Sequence, residues 1–306
     1  MLSVNDLTIS FTRYGRGVSR DALKPVCGLN LDVKPGELLA VIGSSGSGKS
    51  LLAHAILGIL PGNCRVEGGL FFCGEPLTPR RQKALRGRSI ALIPQSVGFL
   101  NPLVRLGGQV RRAAVLSGMA GRQAHHAADT AFARYGLAPA VRKCFPHQVS
   151  GGMARRVLSA TATVGDADLI IADEPTTGLH REASRESLGF LRALADAGKS
   201  VLVITHDLKA VLPWADRVAV FHGGTTVELT AAANFSNDLS GLRHPYSRAM
   251  WMALPENEFA AEHAVSQEGG QGCPFTHLCG CSDAACAAAP PAPVLFEDGF
   301  VRCHHA

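Results

Sequence analysis

No stretch of this 306-residue chain comes near the roughly 20 uninterrupted apolar residues that a membrane-spanning helix requires. The most apolar run, Leu38 to Ile42, has only the length of a strand. The expectation is therefore a chain that does not cross a bilayer by itself. A basic-then-apolar export segment is also missing: the start, Met1-Leu2-Ser3-Val4-Asn5-Asp6, brings in an acid early, which predicts a cytoplasmic location. Concentrated positive charge is scarce. The formal net charge is +5, and the basic residues are scattered apart from a short cluster from Arg80 to Arg88, which reads as a solvated turn. A nucleic-acid-binding face needs a denser basic patch, so no nucleic-acid partner is expected. No internal repeat is visible.

What is present suits a packed fold. The residues are 46% hydrophobic and 18% charged, enough apolar material for a real core. The length fits one large α/β domain with a smaller appendage. Alternating apolar and polar positions near the start, as in Leu29-Asn30-Leu31-Asp32-Val33, predict antiparallel strands with an edge role. Leu38-Leu39-Ala40-Val41-Ile42 leads straight into glycines and predicts a strand buried on both faces, followed by a helix from about Lys49 to Leu60. Val104 to Lys143 has helical spacing and Pro146 closes it, predicting a helical insert. Leu169-Ile170-Ile171-Ala172 and Val201-Leu202-Val203-Ile204 are further buried-strand runs, with an amphipathic helix from Arg185 to Ala197 between them. That alternation predicts a mainly parallel sheet. After Glu256 the composition shifts to Ala, Gly, Gln and Pro.

Three motifs carry chemistry. Gly43-Ser44-Ser45-Gly46-Ser47-Gly48-Lys49-Ser50 has the form of a phosphate-binding loop between a buried strand and a helix. Glycine permits the turn and the close backbone approach; Lys49 is placed to reach the β- and γ-phosphates and the Ser50 hydroxyl to ligate Mg²⁺. Leu169 to Ala172 end in Asp173-Glu174, two carboxylates at a sheet edge. Asp173 suits the metal and Glu174 the attacking water. Ser150-Gly151-Gly152 precedes an Ala-rich helix whose N-terminus is an anion site.

Taken in this order and spacing, the motifs make the chain resemble the ABC ATPases, with Ser150-Gly151-Gly152 as their signature. The resemblance implies an α/β fold: an ATPase core with a mixed sheet, an antiparallel β subdomain and a helical subdomain over about 96–155. That core spans residues 1–240, followed by a Cys-rich C-terminal extension over 241–306. It implies ATP and Mg²⁺ as ligands, hydrolysis coupled to transport, and two ATPase subunits that clamp ATP between the loop of one and the signature of the other. Gln95 matches the glutamine that senses Mg²⁺ and the membrane partner, and His206 the histidine that contacts the γ-phosphate; Phe11, or Tyr14 in its place, matches the aromatic that stacks on adenine.

Within the family, Phe99-Leu100-Asn101-Pro102, Phe145-Pro146-His147-Gln148, Gly58-Ile59-Leu60-Pro61 and His244-Pro245-Tyr246-Ser247-Arg248 resemble the peptide and nickel importer ATPases. Such subunits sit at the cytoplasmic face of the membrane with two permease subunits and a solute-binding protein, importing peptides, nickel or metal chelates. Five of the nine cysteines fall between Cys273 and Cys303. Reducing conditions argue against disulfides there. Cys273, Cys279, Cys286 and Cys303 match a four-cysteine arrangement of this group, which the resemblance implies holds a [4Fe–4S] cluster in some members, while zinc or free thiols fit the spacing as well.

Two positions depart from the pattern: His180 stands where an aspartate crosses the dimer interface, and Arg155 where a glutamine is usual. The first predicts a heterodimer with a distinct ATPase. Thr176-Thr177-Gly178-Leu179-His180 also resembles the DNA-repair ABC ATPases. Those carry zinc modules inserted in a much longer core, and the interval from Gln95 to Ser150 has room for little beyond a helical subdomain.

Overall fold

The computed structural model describes residues 1–14, 20–44, 46–236, 238–254, 272–297 and 299–306. Ser45 and the side chain of Tyr14 lie outside the described residues. Leu2, Val4, Leu7 and Ile9 are all buried on strand β1 (Leu2–Tyr14), although strict alternation would put Leu7 on the opposite face from Val4. A register shift between Val4 and Leu7, with Asp6 at φ 52°, restores it to the core face. Strand β2 (Arg20–Val33) runs antiparallel to β1.

The continuous apolar run forms β3 (Leu38–Gly43), buried along its whole length. Its last residue must be glycine, since a Cβ at Gly43 would stand 2.3 Å from the Phe221 carbonyl oxygen. Helix α1 (Lys49–Leu57) stops short of the expected Leu60. Gly58 turns left-handed there at φ 63°, and the N–H groups of Gly58 and Ile59 return to the carbonyls of Ala55 and His54. Strands β4 (Cys64–Phe72) and β5 (Glu75–Pro76) complete a four-stranded antiparallel sheet ordered β2-β1-β4-β5. The edge role expected for the first strands belongs to β2 alone; β1 is paired on both sides.

After α2 (Pro79–Leu85) and β6 (Ile90–Ile93) comes a helical unit of α3 (Leu106–Leu116), α4 (Gly121–Arg134) and α5 (Gly151–Thr163). Its own core is built on Leu106, Val110, Phe132, Val157 and neighbours. The chain then returns through β7 (Leu169–Asp173), α6 (Arg181–Asp196), β8 (Ser200–Ile204), α7 (Leu208–Val211), β9 (Arg217–His222) and β10 (Thr225–Ala231). The C-terminal part adds α8 (Pro245–Met252), α9 (Ala284–Ala288), β11 (Val294–Phe296) and β12 (Gly299–Val301). The large sheet has the order β11-β12-β10-β9-β3-β8-β7-β6. Strands β9, β3, β8, β7 and β6 are mutually parallel, and β10, β12 and β11 extend it antiparallel. One core lies between this sheet and the antiparallel sheet, a second under α6 and the C-terminal helices.

Candidate active site

In an open parallel sheet, ligands collect at the carboxyl ends of the strands. Four adjacent strands end here in the residues with chemistry: β3 runs into the glycine loop, β8 into Thr205 and His206, β7 into Asp173 and Glu174, and β6 into Pro94 and Gln95. Strand order therefore brings together positions far apart in sequence. Gly46, Gly48, Lys49, Ser50, Gln95 and Glu174 line one cleft of about 270 Å³.

Gly48 caps α1 at φ 91°, which keeps the loop wrapped over the helix start. Lys49 is buried, and its ammonium donates to the carbonyls of Gly43 and Ser44, each at 2.8 Å, and to Ser47 Oγ at 3.4 Å. Burial lowers its pKa, while Glu174 and Asp173 pull it back up. The Ser50 hydroxyl donates to Asp173 Oδ1 at 3.2 Å. Burial is the main reason the Asp173 carboxyl is raised above the usual range. A hydroxyl beside a buried carboxylate is a hard-oxygen donor set of the kind Mg²⁺ takes, and a cation there would relieve the desolvation that raises Asp173.

Glu174 is buried and held from every side. Its Oε1 lies 2.9 Å from His206 Nδ1, and its Oε2 accepts from Thr177 Oγ1 at 3.1 Å and Thr205 Oγ1 at 3.3 Å. Its N–H donates to the Ile204 carbonyl at 2.8 Å and its carbonyl accepts from the Arg155 guanidinium at 3.1 Å. The backbone at φ 50° is uncommon for a residue with a side chain. A strained backbone at an acid beside the glycine loop makes Glu174 a candidate functional position. Sequence pattern alone does not single out Thr177, Thr205 or the Arg155 contact.

The chain matches the family model described as "ABC transporter" over residues 26–177. Along nearly its whole length it is 31% identical to a peptide import ATP-binding protein of Brucella abortus, with 99% of this chain and 94% of that protein aligned. The chain belongs to the ABC transporter family. The oligopeptide transport ATP-binding protein OppD of Salmonella typhimurium is 32% identical over 99% of this chain and 92% of its own. OppD of Mycobacterium tuberculosis is 33% identical over 95% of this chain, which spans 49% of that longer protein. Among solved structures, the dimeric ATP-binding cassette MJ0796, bound to ADP and phosphate after hydrolysis, superimposes with a TM-score of 0.67 at 23% identity, covering 76% of this chain and 99% of its own. That likeness shows the ABC ATPase fold.

Other sequence-derived positions lie apart from the cleft. Ser150, Gly151 and Gly152 stand at the start of α5, where Ser150 Oγ accepts from the Met153 N–H at 3.3 Å, and none of them lines it. Ser150 and Gly152 instead border a second cavity of about 490 Å³ with Arg155 and His180. His180 is exposed, and its Nδ1 accepts from the Ala183 N–H at 3.4 Å, capping α6. Phe11 is half-buried against the first core and is not among the residues lining the cleft.

The tail cysteines gather. The Cys273 thiol is raised by burial and further by the nearby Cys286, Cys303 and Cys279, and the Cys279 thiol by burial and by Cys281, Cys303 and Cys286. The Cys273 N–H donates to the Cys286 carbonyl at 2.8 Å. His305 Nε2 stands 3.5 Å from Cys286 Sγ and 3.5 Å from Asp283 Oδ2, and its N–H donates to Cys303 Sγ at 3.4 Å.

Proposed function

We propose that the chain is the ATP-hydrolysing subunit of an importer for peptides, peripheral at the cytoplasmic face of the membrane. Its ATPase unit covers 1–240 and its extension 241–306. The observation that carries this reading is the separation of the phosphate loop from the signature: Lys49, Ser50, Gln95 and Glu174 line one cleft, with Asp173 bonded to Ser50 and His206 beside Glu174, while Ser150 and Gly152 border another cavity. Such a chain is half of two sites and needs a second ATPase subunit. A permease pair and a solute-binding protein are proposed as its partners, a reading supported by relatives named as ATP-binding proteins of peptide import.

In the chemistry proposed, Lys49 and the loop N–H groups bind the β- and γ-phosphates of ATP, and Gln95 reaches into the same cleft. Glu174, oriented by Thr177, Thr205 and His206, polarises the attacking water, and His206 takes up the γ-phosphate side. Ser50 and Asp173, with Gln95 nearby, would hold Mg²⁺, whose charge would offset that of the phosphates. Phe11 is the proposed adenine platform. Cys273, Cys279, Cys286 and Cys303 are proposed to hold a [4Fe–4S] cluster, since four thiolates are the donor set such a cluster takes. Asp283, Cys286 and His305, whose ligand atoms all lie within 4.8 Å of one another, favour zinc as the second reading.

ATP-driven uptake by the reconstituted complex tests the proposal. Labelled oligopeptide should enter vesicles with the wild-type chain and stay outside with Lys49→Ala. ATPase activity stimulated by DNA, with no uptake, would overturn it; uptake of a nickel chelate in place of peptide would move the cargo assignment alone.

A further inference from the structure

Helix α5 is gripped on both sides by neighbouring arginines. Arg156 donates to the carbonyl of Tyr135, at the end of α4, at 3.5 Å. Arg155 donates across the molecule to the carbonyl of Glu174 at 3.1 Å. The guanidinium is half-buried, burial lowers its pKa, and among the described residues no carboxylate forms an ion pair with it. A cation placed in that setting without an ion-pair partner is costly unless its donors are used. The donor in use ends on the one residue whose backbone is both strained and catalytic, at φ 50°.

Ser150 and Arg155 belong to the same short rigid rod, about 7.5 Å apart along its axis at 1.5 Å per residue. A tilt or shift of the helix start is therefore delivered to Arg155, and through it to the Glu174 peptide. The carboxylate side of Glu174 is fixed by Thr177, Thr205 and His206; its carbonyl side is fixed by Arg155. We propose that Arg155 is a positioning residue that ties the signature helix to the backbone of Glu174, so that engagement of Ser150–Gly152 with the nucleotide of the second subunit sets the aim of Glu174 in this chain's own site. This rests on the two-subunit reading above. The departure at Arg155 thereby acquires a role: its long planar fork spans from α5 to the carbonyl beyond β7 and donates there as a cation.

The experiment compares Arg155→Leu, which keeps bulk and removes the donors, with Arg155→Lys, which keeps charge and one donor group, in the assembled complex with Mg²⁺-ATP. For Arg155→Leu, kcat should fall about tenfold, the kinetic equivalent of one charge-assisted hydrogen bond. The KM for ATP, the affinity for a fluorescent ATP analogue and the melting temperature should stay near wild type. Arg155→Lys should recover most of the lost kcat. Unchanged kcat in Arg155→Leu overturns the proposal. So does a joint loss of kcat, ATP affinity and melting temperature in both variants, which would make Arg155 a structural prop. A wild-type complex without ATP turnover would overturn the transporter reading together with it.

Discussion

Arg217 shows how much one side chain can hold. It is buried on β9 and bonds both Glu37, at 2.6 Å and 3.1 Å, and Asp32 of β2, at 2.8 Å and 3.3 Å. Burial pulls its pKa down, but the hydrogen bonds and charges of Glu37 and Asp32 outweigh that and leave it raised. The trio links the antiparallel sheet to the large one. Removing one member strands a buried charge on Glu37, which costs about 3–5 kcal/mol in comparable cases. Arg217→Met should therefore lower stability to denaturant by that order while leaving ATP affinity of the folded fraction unchanged; a denaturation midpoint equal to wild type would show the trio to be dispensable. At this scale the phosphate loop, Asp173, Glu174, Gln95 and His206 were legible because each sits at the end of an apolar strand with a fixed pattern. Thr177, Thr205, Arg155 and Arg217 were not. Their partners lie 3, 31, 19 and 180 residues away, and an isolated threonine or arginine in a loop or helix carries no mark of the contact it will make.

The C-terminal segment packs α8 beside two buried histidines, His244 at the start of that helix and His222 at the end of β9. His244 caps α8, its Nδ1 accepting from the Tyr246 N–H at 3.0 Å. The His222 ring packs 4.0 Å from that of Tyr246 and 5.6 Å from that of Phe275. Burial, with a smaller push from His222, drives His244 down to about 3; burial also lowers His222, against the Pro274 carbonyl. In the unfolded chain a histidine titrates near 6.5. Below that pH the unfolded state binds a proton that folded His244 refuses, so its contribution to stability is lost as pH falls from about 6.5 toward 3, by up to about 1.4 kcal/mol per pH unit, and His222 acts in the same direction. Glu228, raised mainly by burial and bonded to the N–H groups of Arg243 and His244, works in the opposite sense around its own titration. The difference between wild type and His244→Asn isolates one histidine, since asparagine keeps a capping acceptor and does not titrate. The variant should melt less steeply with acid between pH 6 and 4, and parallel curves for the two proteins would contradict the assignment. The His-Pro-Tyr motif was readable, whereas β11 and β12 were not: three-residue strands such as Val294-Leu295-Phe296 are too short for periodicity, and only their pairing beside β10 makes them strands.

At the scale of the whole molecule, the parallel order of β6, β7, β8 and β3 brings the strand-end residues to one cleft, and α5 carries Ser150 and Gly152 to a separate cavity. Two predictions belong to the assembly. Anaerobically purified chain should contain about four irons with broad visible absorption, lost in Cys273→Ser; stoichiometric zinc, or thiols that all titrate in the folded protein, would exclude the cluster. His180 keeps the helix-capping duty that an aspartate would perform, so the exchange costs the fold little, but a ring cannot accept as a carboxylate does across an interface. In a heterodimer with the Glu174 site silenced, His180→Asp should raise the residual turnover, and an unchanged rate would remove the proposed asymmetry between sites. The central claim is that Glu174 activates water in a site otherwise complete for ATP. It is tested most directly by Glu174→Gln in the assembled complex with the partner's own site silenced. ATP should bind with near wild-type affinity and remain unhydrolysed, nucleotide-bound dimers should accumulate, and turnover should fall by roughly 100-fold or more; turnover at the wild-type rate would contradict the account.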